Sequence, residues 1–260
     1  MEQVKDLRIT LIQPNVYWES PVENRERISE MMNTVSGNTD LVVLPEMFTT
    51  GFTMNASALA EPMNGETMAW MKAKAAELNA AICGSAIIED EGGSYNRLLF
   101  VHPDGSYQSY DKRHLFFIEG EIGVFEPGKE RVIVNFRGWR IGLYICYDVR
   151  FPVWSRNRND TDLALYVANW PASRTRVWQT LLKARAIENQ IYVAGANRVG
   201  SDGNEVDYCG DSLLVNPRGE VMHRLENREV VVTGTLSIEN LENFRLKFPV
   251  GNDADDFRLL

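Results

Sequence analysis

Cysteine and histidine are scarce in this chain, three of each among 260 residues. Cys83, Cys146 and Cys209 form no CxxC pair and no Cys/His run with zinc spacing, which excludes a disulfide framework and a structural metal site as organising features. Unpaired thiols fit a reducing compartment. Long apolar runs are lacking too: nothing approaches the ~20 residues of a membrane span. The N-terminal stretch MEQVKDLRITLIQP is charged ahead of a short alternating segment, unlike a secretory leader. A cytoplasmic protein is expected. Basic excess is also missing, with 27 Lys and Arg against 36 Asp and Glu, a net charge of -9 and a pI near 5.0. That field repels polyanions, so neither nucleic acid nor an anionic membrane is an expected partner. Finally, no Gly/Ser/Pro-rich linker, low-complexity tract or internal repeat divides the chain. Residues 1–260 are read as a single domain.

What is present is a globular composition, 44% hydrophobic and 24% charged. Strand-like segments recur at 7–13, 41–45, 80–88, 97–102, 139–147, 162–169, 192–197, 212–216 and 229–236. Helical patterns lie between them. Ser20-Pro21-Val22-Glu23 has capping-box form with proline at the first helical position, followed by Ile28, Met31, Met32 and Val35 at helical spacing. Met68, Met71, Ala75 and Leu78 predict a second helix with a core-facing stripe. Val177, Leu181, Ala184 and Glu188 predict a third. The segments FVHPDGSYQSY and LLVNPRGEVMHRL read as hairpins, so the early β-α alternation belongs to a mixed sheet rather than a parallel one.

Three segments end an apolar strand in a reactive residue: DLVVLPEMF at Glu46, SYDKRHLFF at Lys112 and RIGLYICYDVRFP at Cys146. Strand ends favour chemistry because the sheet holds the root of an otherwise exposed group rigid. Singly, each also fits a purely structural role: a solvated turn glutamate, a surface lysine, a cysteine packing as a small hydrophobe. The combination carries the case. LPEMFTTGF, YDKRHLF, ICYDVRFP, ANWPASR and KARAIENQ together resemble the nitrilase superfamily, the carbon-nitrogen hydrolases, in the family's order and over nearly the whole chain.

That resemblance implies an α/β four-layer αββα sandwich, two mixed β-sheets flanked by helices, and a Glu-Lys-Cys catalytic set carried onto Glu46, Lys112 and Cys146. It implies a second active-site glutamate after the lysine, for which Glu119 and Glu121 both stand; the nine-residue offset favours Glu121. Homodimers or larger homo-oligomers are implied as well. The chemistry asks independently for such residues. A thiol with a reference pKa near 8.5 is mostly protonated at neutral pH, so a carboxylate base and an ammonium are means of generating the nucleophile. The oxyanion then needs donors, namely Lys112 and the backbone N–H of Tyr147. Water activated by Glu46 cleaves the thioester, with neither metal nor organic cofactor.

KRHLF, CYDVRFPVWSRN, LYVANWPASR and ARAIENQIYVAGANRVGSDG are especially similar to the omega-amidase branch, whose members cleave the terminal amide of 2-oxoglutaramate and 2-oxosuccinamate. Such a small-molecule substrate needs a cation for its remote carboxylate, for which Arg150, Arg174 and Arg176 are candidates. Phe116, Phe117 and Trp170 are candidate pocket walls. Two schemes compete with the Glu-Lys-Cys set: a papain-like pair of Cys146 with His114, and a non-catalytic thiol-bearing binding or redox protein. Hydrolysis of another amide or of a nitrile is a variant of the Glu-Lys-Cys chemistry itself. The C-terminal segment, about 245–260, reads either as a mobile acidic tail or as a segment that docks on a partner subunit, and Phe248, Phe257 and Leu259 favour docking.

Overall fold

The structure is a computed structural model that describes residues 5–35 and 37–258. Leu259, part of the expected C-terminal anchor, lies outside the described residues. In chain order the elements are β1 (Leu7–Gln13), α1 (Pro21–Met32), β2 (Leu41–Val43), α2 (Ala56–Leu59), β3 (Glu61–Pro62), α3 (Glu66–Leu78), β4 (Ala81–Asp90), β5 (Gly93–Val101) and β6 (Tyr107–Asp111). Then follow β7 (Ile133–Phe136), β8 (Trp139–Ile145), β9 (Leu163–Val167), α4 (Thr175–Asn189), β10 (Tyr192–Ala196), β11 (Val199–Ser201), β12 (Asp207–Cys209), β13 (Ser212–Val215), β14 (Val221–Leu225), β15 (Val230–Leu236) and α5 (Ile238–Lys247).

One large sheet has the order β15-β1-β2-β4-β5-β6, with β3 beside β4; the other has the order β14-β13-β10-β9-β8-β7. Each has a parallel centre and antiparallel margins: β1, β2 and β4 run together, as do β8, β9 and β10. Both predicted hairpins form, with Val101 opposite Tyr107 and Val215 opposite Val221. Because β6 is antiparallel to β5 and β5 to β4, β6 again points the same way as β2. This topology brings the C-terminal ends of β2, β6, β8 and β9 to one edge of the sandwich.

Alternation along the strands assigns the faces. Leu7, Ile9 and Leu11 join Cys83, Phe100, Ile141, Leu143, Leu165 and Val167 in the core between the sheets. Ile12, Val42, Leu44 and Ile82 turn the other way, onto Ile28, Met31 and Met32 of α1 and Met68 and Met71 of α3. Trp178, Leu182 and Ala186 of α4 cover the second sheet. The layers are therefore α1/α3, sheet, sheet, α4, the four-layer arrangement. Full burial of each such Leu, Ile or Val contributes about 1.5–3 kcal/mol. Gly195 in β10 has a packing reason: a side chain there meets Leu182 and Trp178 at 2.5 and 2.7 Å.

Two local expectations need correction. The buried stripe of α4 is Trp178, Leu182, Arg185 and Asn189, one residue on from Val177, Leu181, Ala184 and Glu188. Arg185 explains the shift, since its guanidinium donates to the carbonyl of Val149 at 2.8 and 3.0 Å and makes a charged residue part of the inner face. Helix α1 begins at Pro21 as expected, but Ser20 Oγ turns back to the Trp18 carbonyl at 3.1 Å and caps nothing. Strand β7 has no counterpart among the segments read from sequence. Among the described residues no helix is long and apolar enough to cross a membrane.

Candidate active site

Glu46 lies three residues beyond β2, Lys112 directly beyond β6, and Cys146 directly beyond β8. Glu121 comes from a loop after the short turn Phe117–Glu119. Lys112 Nζ donates to Glu46 Oε1 and to Glu121 Oε2, each at 2.8 Å. The three side chains have exposures of only 0–1%. Both carboxylates are fixed by further donors. Glu46 Oε1 accepts from Asn96 Nδ2 at 2.7 Å, and Oε2 from the backbone N–H of Asn169 at 2.8 Å. Glu121 Oε2 accepts from the Phe116 N–H at 2.6 Å. Asn96 is itself held by Ser85 Oγ at 2.8 Å, and that hydroxyl accepts from the Met47 N–H at 2.8 Å. The carboxylates are thus aimed by a buried polar network.

Lys112 is seated by backbone. Its N–H reaches the Asn96 carbonyl at 3.0 Å, and its own carbonyl accepts from Gly128 at 2.9 Å. Gly128 has to be glycine, because a Cβ there falls 2.0 Å from the Asp111 carbonyl oxygen. Cys146 and Met47, the residue after Glu46, both adopt positive φ, +43° and +42°. Such backbone costs about 1–2 kcal/mol per residue and needs outside support. For Cys146 that support is Asp148, whose Oδ2 accepts from the Ile145 N–H at 2.9 Å and from Tyr110 Oη at 2.7 Å. Asp148 Oδ1 takes the N–H of His114 at 3.1 Å and its Nδ1 at 2.7 Å. His114 also stacks on Phe151, with centroids 3.7 Å apart. His114 therefore props the turn that carries Cys146, rather than pairing with the thiol.

The electrostatics follow from two carboxylates around one ammonium. Burial opposes the charge of Lys112, but Glu121 and Glu46 outweigh it and hold the ammonium well above the ordinary lysine range. Burial and then Glu46 raise the Glu121 carboxyl, against the pull of Lys112. The Cys146 thiol is pushed well above 9 by burial and by Glu46, with Lys112 pulling the other way. A raised thiol pKa fits generation of the nucleophile by the carboxylate base at the moment of attack.

Cys146 and Lys112 line a cavity of about 170 Å³ together with Phe52, Phe116, Tyr147, Trp170 and Tyr208, and Arg150 and Arg174 line it too. Arg174 stands 3.7 Å from Glu119 and over the Phe116 ring. Arg150 lies over the Trp170 ring, and among the described residues it has no acidic partner. Phe117 and Arg176 do not line this cavity; both side chains are exposed. Glu119 lines the cavity, and Glu121, not Glu119, is the glutamate that touches Lys112.

Residues 8–246 match the carbon-nitrogen hydrolase family. The chain belongs to that family. It is 50% identical to Omega-amidase YafV of Escherichia coli (strain K12), over 97% of this chain and 98% of that one. It is 30% identical to a 2-oxoglutaramate amidase of Bacillus subtilis (strain 168), over 94% and 96%. The solved structure of XC1258 from Xanthomonas campestris is described as a CN-hydrolase superfamily protein with an arsenic adduct in the active site. It has a TM-score of 0.97 and 46% identity, covering 98% of this chain and 99% of that one.

Besides the cavity walls Phe52 and Tyr208, the polar residues Asn96, Asn169 and Asp148 escaped the sequence reading. Asn169 follows an apolar strand as Glu46 and Cys146 do, so the strand-end rule could have found it. Asn96 interrupts the apolar face of β5, where a buried amide needs partners. Asp148 gives no such signal, since an acidic residue two after Cys146 reads equally as a solvated turn.

Proposed function

We propose that this hydrolase is an omega-amidase that converts small 2-oxo acid ω-amides, 2-oxoglutaramate and 2-oxosuccinamate, to the dicarboxylate and ammonia. The identity to Omega-amidase YafV over nearly both chains is the observation that carries this. In the scheme, Cys146 Sγ attacks the amide carbonyl while Glu46 takes the thiol proton, so the thiolate exists only as the S–C bond forms. Lys112 and the Tyr147 N–H stabilise the oxyanion. The C–N bond then breaks, Glu46 returns the proton to nitrogen, and ammonia leaves a thioester on Cys146. Water, deprotonated by Glu46, cleaves it and restores the thiol. Glu121 keeps Lys112 in place by its 2.8 Å contact.

Arg150 is the proposed anchor of the remote carboxylate, because it is the cavity arginine without an acid partner among the described residues, whereas Arg174 faces Glu119. Phe116 and Trp170 would fix the width of the slot. The test is kcat/KM for 2-oxoglutaramate against the neutral amide of the same chain length. A charge-assisted contact predicts a preference of about tenfold to a hundredfold, lost in Arg150→Gln. Equal turnover of the two amides by the native enzyme refutes the assignment.

A single domain, a cytoplasmic location and a homodimer complete the proposal. Three free thiols favour a reducing compartment. At the C-terminal end Phe257 lies under Arg158 of the same chain, while Leu246 and Phe248 remain exposed for a partner. Sedimentation of the native chain beside Leu246→Ser/Phe248→Ser tests that last point; an unchanged dimer removes these residues from the interface.

A further inference from the structure

Asn169 is 5% exposed, lines the cavity beside Cys146, and has three of its four polar groups engaged. Its N–H meets Glu46 Oε2 at 2.8 Å, its Nδ2 donates to the Glu46 carbonyl at 2.6 Å, and its carbonyl faces Cys146 Sγ at 3.9 Å. The second of these contacts fixes the orientation of the side-chain amide, since a backbone carbonyl can only accept. The fourth group, Oδ1, is buried and has no partner. A buried acceptor left unmatched is costly, and in a folded protein it needs a physical reason. Among the described residues few buried polar atoms are orphaned, and this is the one on a residue that lines the cavity beside Cys146.

We infer that Asn169 Oδ1 is the acceptor for an N–H of the scissile amide, which makes Asn169 a further catalytic residue. The inference rests on the omega-amidase reading of the site. The nearby carboxylates are largely engaged: Glu46 Oε1 accepts from Lys112 and Asn96 and its Oε2 from the Asn169 N–H, while Glu121 Oε2 accepts from Lys112 and the Phe116 N–H. An amide substrate brings two N–H donors that have to be satisfied on entering the cavity, and Oδ1 takes one. As Sγ adds and the carbonyl carbon becomes tetrahedral, that hydrogen bond holds the nitrogen so that its new lone pair faces Glu46. The proton taken from the thiol then passes from Glu46 to nitrogen, the C–N bond breaks, and ammonia leaves. An ester of the same acid has no N–H and cannot use Oδ1.

The test compares 2-oxoglutaramate with the ω-methyl ester of 2-oxoglutarate, which gives the same thioester on Cys146. In Asn169→Ala, kcat/KM for the amide falls about tenfold to a hundredfold further than for the ester. Because the loss of Nδ2 also loosens Glu46, Asn169→Asp serves as the second variant: it loses the same donor but keeps an acceptor oxygen. Its amide-to-ester ratio stays within about threefold of the native value, even where both rates drop. An unchanged ratio in Asn169→Ala, with kcat falling equally for both substrates, assigns Oδ1 to the hydrolytic water and overturns the proposal. A ratio that falls equally in both variants reduces Asn169 to a support of Glu46 and overturns it too. Absence of native turnover of the keto-amide is a different result, which strikes the omega-amidase reading itself.

Discussion

Replacing Lys112 by methionine leaves two carboxylates within the same buried pocket without their cation. Glu121, whose carboxyl is already raised beside Lys112, is the group that responds. Without the ammonium it takes a proton in the folded state, whereas in the unfolded chain its pKa is near 4.3. A raised carboxyl costs stability above its unfolded pKa, and the cost grows with pH until the folded pKa is reached. Holding one proton there at pH 7 spans about 2.7 pH units at about 1.4 kcal/mol each, or about 3.7 kcal/mol. That falls within the range of about 3–5 kcal/mol for removing one partner of a buried ion pair. Urea unfolding at a series of pH values reads this directly. Relative to the native protein, whose raised Glu121 already carries part of this pH dependence, Lys112→Met loses at most about 2.7 kcal/mol more between pH 5 and pH 7. In Lys112→Met/Glu121→Gln the pH-dependent part disappears and more than half of the stability returns. A Lys112→Met deficit that is flat from pH 5 to 7, or that the second substitution leaves untouched, refutes the charge arrangement proposed for the site.

Alkylation by iodoacetamide checks the state of the thiol: with Cys146 raised by burial and Glu46, its rate keeps climbing through pH 9 with no plateau, whereas a plateau below pH 7 marks a standing thiolate. Amidase assays of Glu46→Gln and His114→Ala separate the two cysteine schemes, with a loss of about a thousandfold or more for the first and about tenfold for the second. A dead His114→Ala beside an active Glu46→Gln restores the imidazole scheme. Asp162 is held below the usual carboxylate range, because the hydrogen bonds from Arg140 and Arg245 overcome the effect of burial. Its contribution is therefore present above about pH 3.9 and lost as pH falls through the folded pKa. Asp162→Asn accordingly lowers stability at pH 7 by about 2 kcal/mol, a figure reduced because Arg140 is partly exposed, and flattens the acid limb of the unfolding curve.

Much of the fold was legible because the strands carry strong apolar patterns: β1, β2, β8, β9, β10, β13 and β15 all fall within the segments read from sequence, and β4 overruns its segment by two residues. Strand β7 was missed because only Val134 and Phe136 of its four residues are buried, too short a run to stand out. The stripe of α4 was displaced because periodicity counts apolar residues, while tertiary hydrogen bonds brought Arg185 and Asn189 inward. The choice of Glu121 over Glu119 depended on the family resemblance and the nine-residue offset from Lys112, and its contact with Lys112 needed the whole path from β6 through the Phe117–Glu119 turn. Phe117 and Arg176 show the limit from the other side: proximity in sequence to a strand end does not tell which way a side chain turns. Asn169 Oδ1 was beyond sequence altogether, since an unmatched acceptor is defined only once every neighbour is in place.

The most direct test of the central claim is ammonia release from 2-oxoglutaramate, 2-oxosuccinamate, glutamine, asparagine and a simple nitrile, by the native enzyme and by Cys146→Ala. The expected result is rapid release from the two keto-amides alone, abolished in Cys146→Ala while the fold is retained. Undiminished turnover by Cys146→Ala contradicts the nucleophile, and no release from either keto-amide by the native enzyme contradicts the omega-amidase function.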